Sequence, residues 1–336
     1  MKTKYLNIIF LGILTACFSG CINELEFNGE VTKPYLVMNG YVTPDSVVKV
    51  HLTKSKFFLQ SDETFTFVTN ATVKLYVNNS EKETMPYTGE GYYTSTYKPL
   101  VGDIIKIVAS NSEFSNVNST IEVLNPSVIL SVDSSNHVYQ RNYQITYESI
   151  NGGPYIADTV GYSVNEEFDF KIKFKDEVDE INYYRINFNL INYYENDSTS
   201  TEMLYTYSDD IVFTNGQETS DIIGIEDYSS NYYEFSDELF NGKEYSMKMS
   251  YHLYTNYYTD EDYLQWNTNN KVPLRRELYV TLHSISKAYF LYLKTRAASS
   301  NEMDFFSEPV QVYSNIMGGL GILGSYSSST YKFDLK

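Results

Sequence analysis

Apolar and polar residues alternate in a series of short runs that begins at residue 35. In residues 47–52, Val48, Val50 and Leu52 share one side of a period of two, which is typical of a strand with one buried face. About seven such runs, separated by turn residues, predict an immunoglobulin-like β-sandwich over residues 34–125. The clearest runs lie at residues 35–42, 47–52, 71–77, 91–95, 103–108 and 120–123.

Residues 127–336 predict a larger β-rich domain beyond a boundary at Pro126. Residues 169–174 alternate strictly, an acidic stretch follows, and residues 183–188 return, so the pattern predicts a hairpin between these two runs. Residues 245–253 form a further alternating run. The predicted fold class is therefore all-β dominated, with an N-terminal immunoglobulin-like β-sandwich followed by a larger β-rich domain that contains one short helix.

That helix is predicted from Ser284 to about Ala298. Apolar and aromatic residues recur at helical spacing from Ile285 onward, and Ser284 is the predicted N-cap. Lys294 and Arg296 lie near its end, where positive charge suits the helix dipole. We expect the helix to cover a face of the second sheet.

The N-terminus has the pattern of a secretory signal peptide. Lys2 and Lys4 precede an apolar run over residues 6–14, and small residues and cysteines follow. The run is shorter than the roughly 20 residues that a membrane-spanning helix needs. Because the region resembles a bacterial lipobox, we predict a lipoprotein signal peptide over residues 1–20 and an acidic tether over residues 21–33. The mature chain would be anchored to a membrane without crossing it.

Two cysteines are candidates for the lipidated residue. Leu14-Thr15-Ala16-Cys17 has the better local consensus, whereas Cys21 has the longer apolar segment before it and acidic residues after it. We predict lipidation at Cys21, with Cys17 as the alternative. Since the chain has no other cysteine, its folded body contains no disulfide, no cysteine-based zinc site and no thiol nucleophile.

Charge and aromatic content narrow the possible partners. The chain has 43 acidic and 25 basic residues, a formal net charge of -18. This composition argues against nucleic-acid binding, which depends on basic patches, and against adhesion to anionic lipids by charge. The 34 tyrosines and 19 phenylalanines suit either half-buried strand faces or an aromatic binding surface, and composition leaves both interpretations open.

Motifs for catalysis and metal binding are missing. The acidic clusters at residues 176–180 and 260–262 lack the ligand pattern of a calcium loop, so we predict solvated turns. The glycines of residues 318–324 do not form a phosphate loop and are expected to permit positive φ angles in a bent, packed segment. We predict no catalytic residue, no metal and no cofactor, although a carboxylate pair of a glycoside hydrolase stays open because its spacing exists only in three dimensions. The residues considered include His51, His137, His252 and His283, which lack zinc-site spacing, and Asp176, Glu177, Asp179 and Glu180.

Four segments together resemble a known family. They are KPYLVMNGYV at 33–42, FSDELFNGK at 235–243, SEPVQVYSNI at 307–316 and GGLGILG at 318–324. After a lipobox and an acidic tether, this order resembles the domain of unknown function 4249 family of Gram-negative outer-membrane lipoproteins, with Leu323 in place of the usual aromatic residue. The resemblance covers essentially the whole mature chain. It implies a lipid anchor in the outer membrane, on the periplasmic or cell-surface face, and an accessory role beside a TonB-dependent transporter.

The predicted function is a non-catalytic binding or accessory subunit at the outer membrane, and not an enzyme. The alternative is a stand-alone surface glycan- or peptide-binding lipoprotein, which would gather exposed tyrosines in one groove. A glycoside hydrolase-like enzyme is the third hypothesis. Adjacent tyrosines in a strand point to opposite faces, so each Tyr-Tyr pair offers at most one ring to a common site. The candidate pairs are Tyr183-Tyr184, Tyr193-Tyr194, Tyr232-Tyr233 and Tyr257-Tyr258.

Overall fold

Alternating sequence runs become strands throughout the computed structural model, which describes residues 33–56, 65–149, 153, 155–178, 180–213, 232–258, 273–300 and 311–335. The chain divides into two units, and the second, Tyr35–Lys56 with Asp62–Lys336, contains every element named below. Of the first unit, only Lys33 and Pro34 are described. The prediction of a β-dominated fold is confirmed.

The strands of the described residues are β1 (Leu36–Val42), β2 (Lys49–Lys54), β3 (Thr72–Val77), β4 (Ser80–Met85), β5 (Tyr87–Gly89), β6 (Tyr92–Thr94), β7 (Ile104–Asn111), β8 (Phe114–Glu122), β9 (Val128–Ser149), β10 (Tyr155–Lys175), β11 (Tyr183–Tyr193), β12 (Thr199–Met203), β13 (Thr206–Tyr207), β14 (Tyr232–Ser236), β15 (Glu244–Tyr258), β16 (Arg275–Ile285) and β17 (Leu320–Leu335). A short 3-10 helix spans Glu195–Asp197, and the α-helix α1 spans Lys287–Ser300.

These strands form three sheets. Sheet 1 has nine strands in the order β12-β11-β16-β17-β1-β2-β6-β5, with β14 also paired to β11. Sheet 2 has the order β13-β15-β10-β9, and sheet 3 has the order β4-β3-β7-β8. β1 and β17 pair in parallel, with Val37 opposite Leu320, and this pairing joins the N-terminal and C-terminal strands within sheet 1.

Two hydrophobic cores result, one on each part of sheet 1. The first core contains residues of β1, β2, β3 and β7 together with Ile316 and Leu323 from the C-terminal segment. The second lies between sheet 2 and β11, β16 and β17, and its members include Phe170, Phe174 and Phe188. Each such buried side chain contributes about 2 kcal/mol by its removal from water. The domain boundary at Pro126 stays a prediction, and Leu323 shows that the first core draws on the C-terminal segment.

The glycines of the C-terminal segment allow β17 to approach β1 closely. Gly318 and Gly321 have φ angles of +79° and +111°, a region that side chains disfavour. A Cβ atom at Gly321 would also overlap the carbonyl oxygen of Met38. The expectation of positive φ angles in a packed segment is correct at these two positions.

The predicted hairpin between residues 169–174 and 183–188 is wrong. β10 pairs with β9 and β15 in sheet 2, whereas β11 pairs with β12, β14 and β16 in sheet 1. Phe174 and Ile186 are both fully buried in the core between the two sheets. Alternation identified the buried face of each strand correctly, but it contains no information about which strand lies alongside.

The predicted start of the helix is also wrong. Ser284 and Ile285 end β16, where Ile285 is buried, and α1 begins at Lys287. Ser286 is at the N-cap position, and its Oγ accepts the Tyr289 N–H at 3.3 Å. α1 lies on the outer face of sheet 1, where the Tyr289 ring is 4.7 Å from the Tyr41 ring.

Candidate functional site

The inner face of sheet 2 continues beyond the part that sheet 1 covers. In the covered part, Phe168 lies opposite Tyr251 on β15 and opposite His137 on β9, and Phe168 is 2% exposed. Alternate residues of β9 continue this face beyond His137. Among them, Tyr139 is 47% exposed and Tyr143 is 63% exposed. The inner face therefore changes from core to surface along one continuous set of strands.

We call the uncovered part the tyrosine face and define it by Tyr139, Arg141, Tyr143, Tyr162 and Tyr257. Tyr162 on β10 lies opposite both Tyr143 on β9 and Tyr257 on β15. The Tyr162 ring centroid is 5.0 Å from that of Tyr257 and 6.3 Å from that of Tyr143. Three rings thus form a row across three strands.

Arg141 holds this row together. Its guanidinium carbon lies 4.5 Å from the centre of the Tyr162 ring, and its Nη2 donates to the Tyr139 hydroxyl at 2.9 Å. The opposite face of β9 is polar in this segment, because Gln140, Asn142 and Gln144 alternate with the face residues. On β9, the aromatic side chains are therefore confined to one side.

A polar cleft of about 450 Å³ adjoins the tyrosine face at Tyr257. Arg276 lies in its wall and forms a two-pronged ion pair with Glu166, one of whose hydrogen bonds measures 2.9 Å. Burial alone would lower the pKa of Arg276, but the Glu166 carboxylate raises it above its ordinary value. The cleft is lined by Asn192, Tyr194, Ser198, Thr199, Ser200, Glu202, Leu253, Thr255, Tyr257, Pro273 and Arg276.

The Tyr251 hydroxyl lies buried among the charged groups of this cleft. Burial raises the pKa of Tyr251, with the Glu202 carboxylate adding to the effect and Arg276 opposing it. The hydroxyl is therefore neutral, and it has no hydrogen-bond partner in the part of the chain that the structure describes. Hydroxyl, amide and carboxylate groups next to aromatic rings suit a polar, uncharged ligand.

A buried carboxylate pair lies elsewhere, where residues 176–182 cross from sheet 2 to sheet 1. Asp176 and Asp237 are both fully buried. Asp176 accepts hydrogen bonds from the Tyr184 hydroxyl and, at 2.6 Å, from the Gly242 N–H. Burial, together with the neighbouring Asp176, raises the pKa of Asp237 to about 6. The prediction of a solvated turn is therefore wrong for Asp176.

A proton on Asp237 fits this arrangement, because its raised pKa makes it take up a proton more readily than a free carboxyl group. Asp237 Oδ1 has no hydrogen-bond partner among the described residues. Asn182 Nδ2 donates to the other oxygen of Asp237 at 3.3 Å and also lines a separate cleft of about 530 Å³. Neither acid reaches solvent, so the pair fixes the crossing to the turn that contains Gly242. In the same acidic stretch, Glu177 and Glu180 are exposed as predicted, and Asp179 lies outside the described residues.

The other residues selected from the sequence are dispersed. Cys17, Cys21 and residues 260–262 lie outside the described residues. Tyr184 is buried in the second core, whereas Tyr194 and Tyr257 line the polar cleft. His51 stacks on Tyr92 on a strand face, as predicted. The remaining positions are Tyr183 against Phe290, Tyr193 bonded to Glu277, Tyr233 bonded to the Thr206 carbonyl, and Tyr232 and Tyr258, whose side chains lie outside the described residues.

Sequence reasoning missed the tyrosine face, although a signal was present. Tyr139, Arg141, Tyr143, Ile145 and Tyr147 occupy alternate positions of one run, with polar residues at all but one of the positions between them and beside them. This period of two, with aromatic residues on one side, predicts a strand that presents an aromatic face. Adjacent tyrosine pairs were the less informative pattern.

The described residues lack both a metal-ligand cluster and a membrane-spanning helix. They contain no cluster of three or more His, Cys, Asp or Glu residues placed to hold a metal ion. They also contain no helix with the length and apolar character needed to span a membrane.

Comparison with known proteins identifies the family. No curated protein matches the chain. A crystal structure from Corynebacterium diphtheriae, described as a membrane-anchored protein, aligns with 87% of this chain and 58% of its own at 10% identity and a TM-score of 0.21, which is too low to support any argument. The model of the family described as Domain of unknown function (DUF4249) matches residues 22–332, and the chain therefore belongs to this family.

Proposed function

We propose that this protein is a lipid-anchored, non-catalytic binding subunit of the outer membrane, and that the tyrosine face is its binding surface. The observation that carries the proposal is the row of Tyr143, Tyr162 and Tyr257, which continues a core face into solvent. Exposed aromatic patches of this kind mark interaction sites, because tyrosine offers a large apolar surface with few rotatable bonds and a polar tip. Arg141 restrains the rings before binding, which reduces the entropy lost on association.

The partner that we propose is a TonB-dependent outer-membrane transporter. The support is the family resemblance together with the signal-peptide pattern before Cys21, which would bring the chain to the same membrane. The net charge of -18 disfavours binding to lipid head groups by charge, so the lipid at Cys21 would supply the membrane attachment.

Co-purification from mildly solubilised membranes tests this partner. Tyr162→Ala removes the central ring of the row from a middle strand of sheet 2, and we expect it to reduce recovery of the transporter at least tenfold. Tyr254→Ala is the matched control, because Tyr254 is 62% exposed on the opposite face of the same sheet. Equal recovery of the transporter with both variants, or recovery of the lipoprotein alone from the unsubstituted strain, would contradict the proposal.

Lipid attachment needs a separate test. We expect an alkyne-labelled fatty acid to be incorporated into the unsubstituted chain and into Cys17→Ser, and to be absent from Cys21→Ser. Loss of label in Cys17→Ser alone would move the site to Cys17. No label in any of the three chains, with the protein free in the medium, would remove the anchor from the proposal.

A second candidate function is binding of a neutral glycan by the chain on its own. The polar cleft favours it, since the rings of Tyr194 and Tyr257 lie beside hydroxyl, amide and carboxylate groups in a space of about 450 Å³. On a glycan array, we expect the chain to give a signal that Tyr257→Ala loses and Tyr254→Ala keeps. An array without signal would reject this candidate for the sugars displayed.

A further inference from the structure

The outer edge of β9 is open over a long segment. β9 is the last strand of sheet 2, and within the described residues nothing pairs with its far side. From His137 to Tyr147, every residue of β9 has a partner in β10, and the irregularity in this pairing is one extra residue on β10, between Thr159 and Gly161. An edge of this kind presents a row of unpaired N–H and C=O groups to any second strand.

This edge lacks the devices by which proteins block such pairing. The segment, HVYQRNYQITY, contains no proline and no lysine. It also contains no acidic residue, in a chain that has 43 of them, and its basic residues are Arg141 and His137. The strong negative charge that would otherwise repel a second copy is therefore absent along this edge.

The segment is complementary to itself when two copies run antiparallel with Asn142 opposite Asn142. In this register, Arg141 of each copy faces Tyr143 of the other, which repeats the cation–π contact that Arg141 already makes with Tyr162. Tyr139 faces Ile145, an aromatic and β-branched pair of the kind that stabilises sheets. On the opposite face Gln140 faces Gln144, so all eleven positions from 137 to 147 are matched without like charges opposite each other.

A shift of the register by two residues removes this match. Centring the pair on Arg141 would place two guanidinium groups directly opposite each other, which destabilises a sheet. A two-fold axis through Asn142 also keeps both tyrosine faces on the same side, because it runs perpendicular to the joined sheet. The two faces would then form one larger aromatic surface.

We propose that two copies of this chain associate through the β9 edge in the antiparallel register centred on Asn142. The occupant of the edge is a second copy because the segment supplies its own complementary residues, register and charge balance. The inference concerns the strand edge and does not depend on lipid attachment or on what binds the tyrosine face.

Cysteine cross-linking of the full chain tests the register, in a background in which Cys17→Ser and Cys21→Ser remove the native thiols. In an antiparallel pair, the Cα atoms of opposite residues are about 4.5–5.5 Å apart, within the range of a disulfide. Asn142→Cys is therefore expected to give a covalent dimer under mild oxidation. In Gln140→Cys the two thiols would be four residues apart along the strands, roughly 13 Å, so this control stays monomeric. Combining Gln140→Cys with Gln144→Cys is expected to restore the dimer.

Sedimentation velocity tests the association without a cross-link. We expect the unsubstituted full chain in mild detergent to sediment as a dimer that dissociates on dilution. Asn142→Lys, which places two lysines across the axis, is expected to sediment as a monomer. Tyr254 is on β15, away from the β9 edge, and points to the same face of sheet 2 as Asn142. Tyr254→Lys therefore adds the same charge without touching the proposed interface, and this variant should remain dimeric. Circular dichroism checks that both variants are folded.

Three results would overturn the proposal. The unsubstituted chain could be monomeric at all concentrations tested. Asn142→Cys and Gln140→Cys could cross-link equally, as expected from random collision. Asn142→Cys could also link in cells to a different polypeptide and never to itself, in which case the edge accepts a foreign strand instead of a second copy.

Discussion

Replacing Asp237 by asparagine should make the protein more stable at neutral and alkaline pH. Asp237 is fully buried beside Asp176, and burial raises its pKa from 3.8 to about 6. The folded state therefore holds the proton more tightly than the unfolded state does. The corresponding stability is present in full below pH 3.8 and is lost as the pH rises from there through about 6.

The size of the effect follows from the same pKa. A rise from 3.8 to about 6 corresponds to about 3 kcal/mol as an upper limit. Asn182 Nδ2 donates to Asp237 at 3.3 Å and partly offsets the cost of a charged carboxylate there. We therefore expect Asp237→Asn to raise the free energy of unfolding at pH 8 by about 1.5–3 kcal/mol, with the gain decreasing below pH 6.

Urea unfolding at several values between pH 4 and pH 8 measures this gain. Asp176→Asn is a demanding control, because it neutralises the same pair but replaces an oxygen that accepts from Tyr184 or Gly242. We expect this variant to gain less than Asp237→Asn or to be destabilised. If Asp237→Asn were less stable than the unsubstituted protein at pH 8, or if the two pH profiles ran parallel, the assignment of a raised pKa to Asp237 would be wrong.

Three further substitutions test the packing. Ser286→Ala removes the N-cap of α1 and the acceptor of the buried Ser325 N–H, and should lower the free energy of unfolding by about 2–3 kcal/mol in urea titrations. Gly321→Ala should lower the free energy of unfolding by about 3 kcal/mol or more. Gly102 also has a positive φ but lies in open space, so Gly102→Ala should lower it by only about 1 kcal/mol. Equal losses would refute the close-approach argument. Arg276→Met leaves Glu166 buried without its arginine, with only His137 Nε2 4.0 Å away, and should cost about 3 kcal/mol. A second change, Glu166→Leu, should recover most of this cost in a double-mutant cycle.

The fold class was predictable from the sequence, and the strand pairing was not. Alternation fixes which face of a strand is buried, and the runs at 35–42, 71–77 and 245–253 all became strands. Alternation contains no information about which strands pair. It therefore predicts a hairpin of β10 and β11, although these strands face each other across a core. Local spacing likewise extended the helix into Ile285, which tertiary burial keeps in β16.

The candidate site was predictable only in part. An aromatic binding surface was one of two interpretations of the tyrosine content, and of the adjacent pairs only Tyr257 belongs to the tyrosine face, because neighbours in a strand point to opposite faces. The acidic neighbours of Asp176 predict a solvated turn, whereas the side chain is buried and accepts the Gly242 N–H, 66 residues later in the chain. Interactions between positions so far apart leave no pattern in a single sequence.

The parallel pairing of β1 with β17 has a consequence for biosynthesis. Asn39 and its hydrogen-bonded partner Ile322 are 283 residues apart in sequence. At about 5–20 residues per second, a ribosome needs roughly 15–60 s to make the intervening chain. During that time β1 has no pairing strand on the side that β17 later occupies. The nascent polypeptide is therefore accessible to chaperones and can remain translocation-competent until β17 is made.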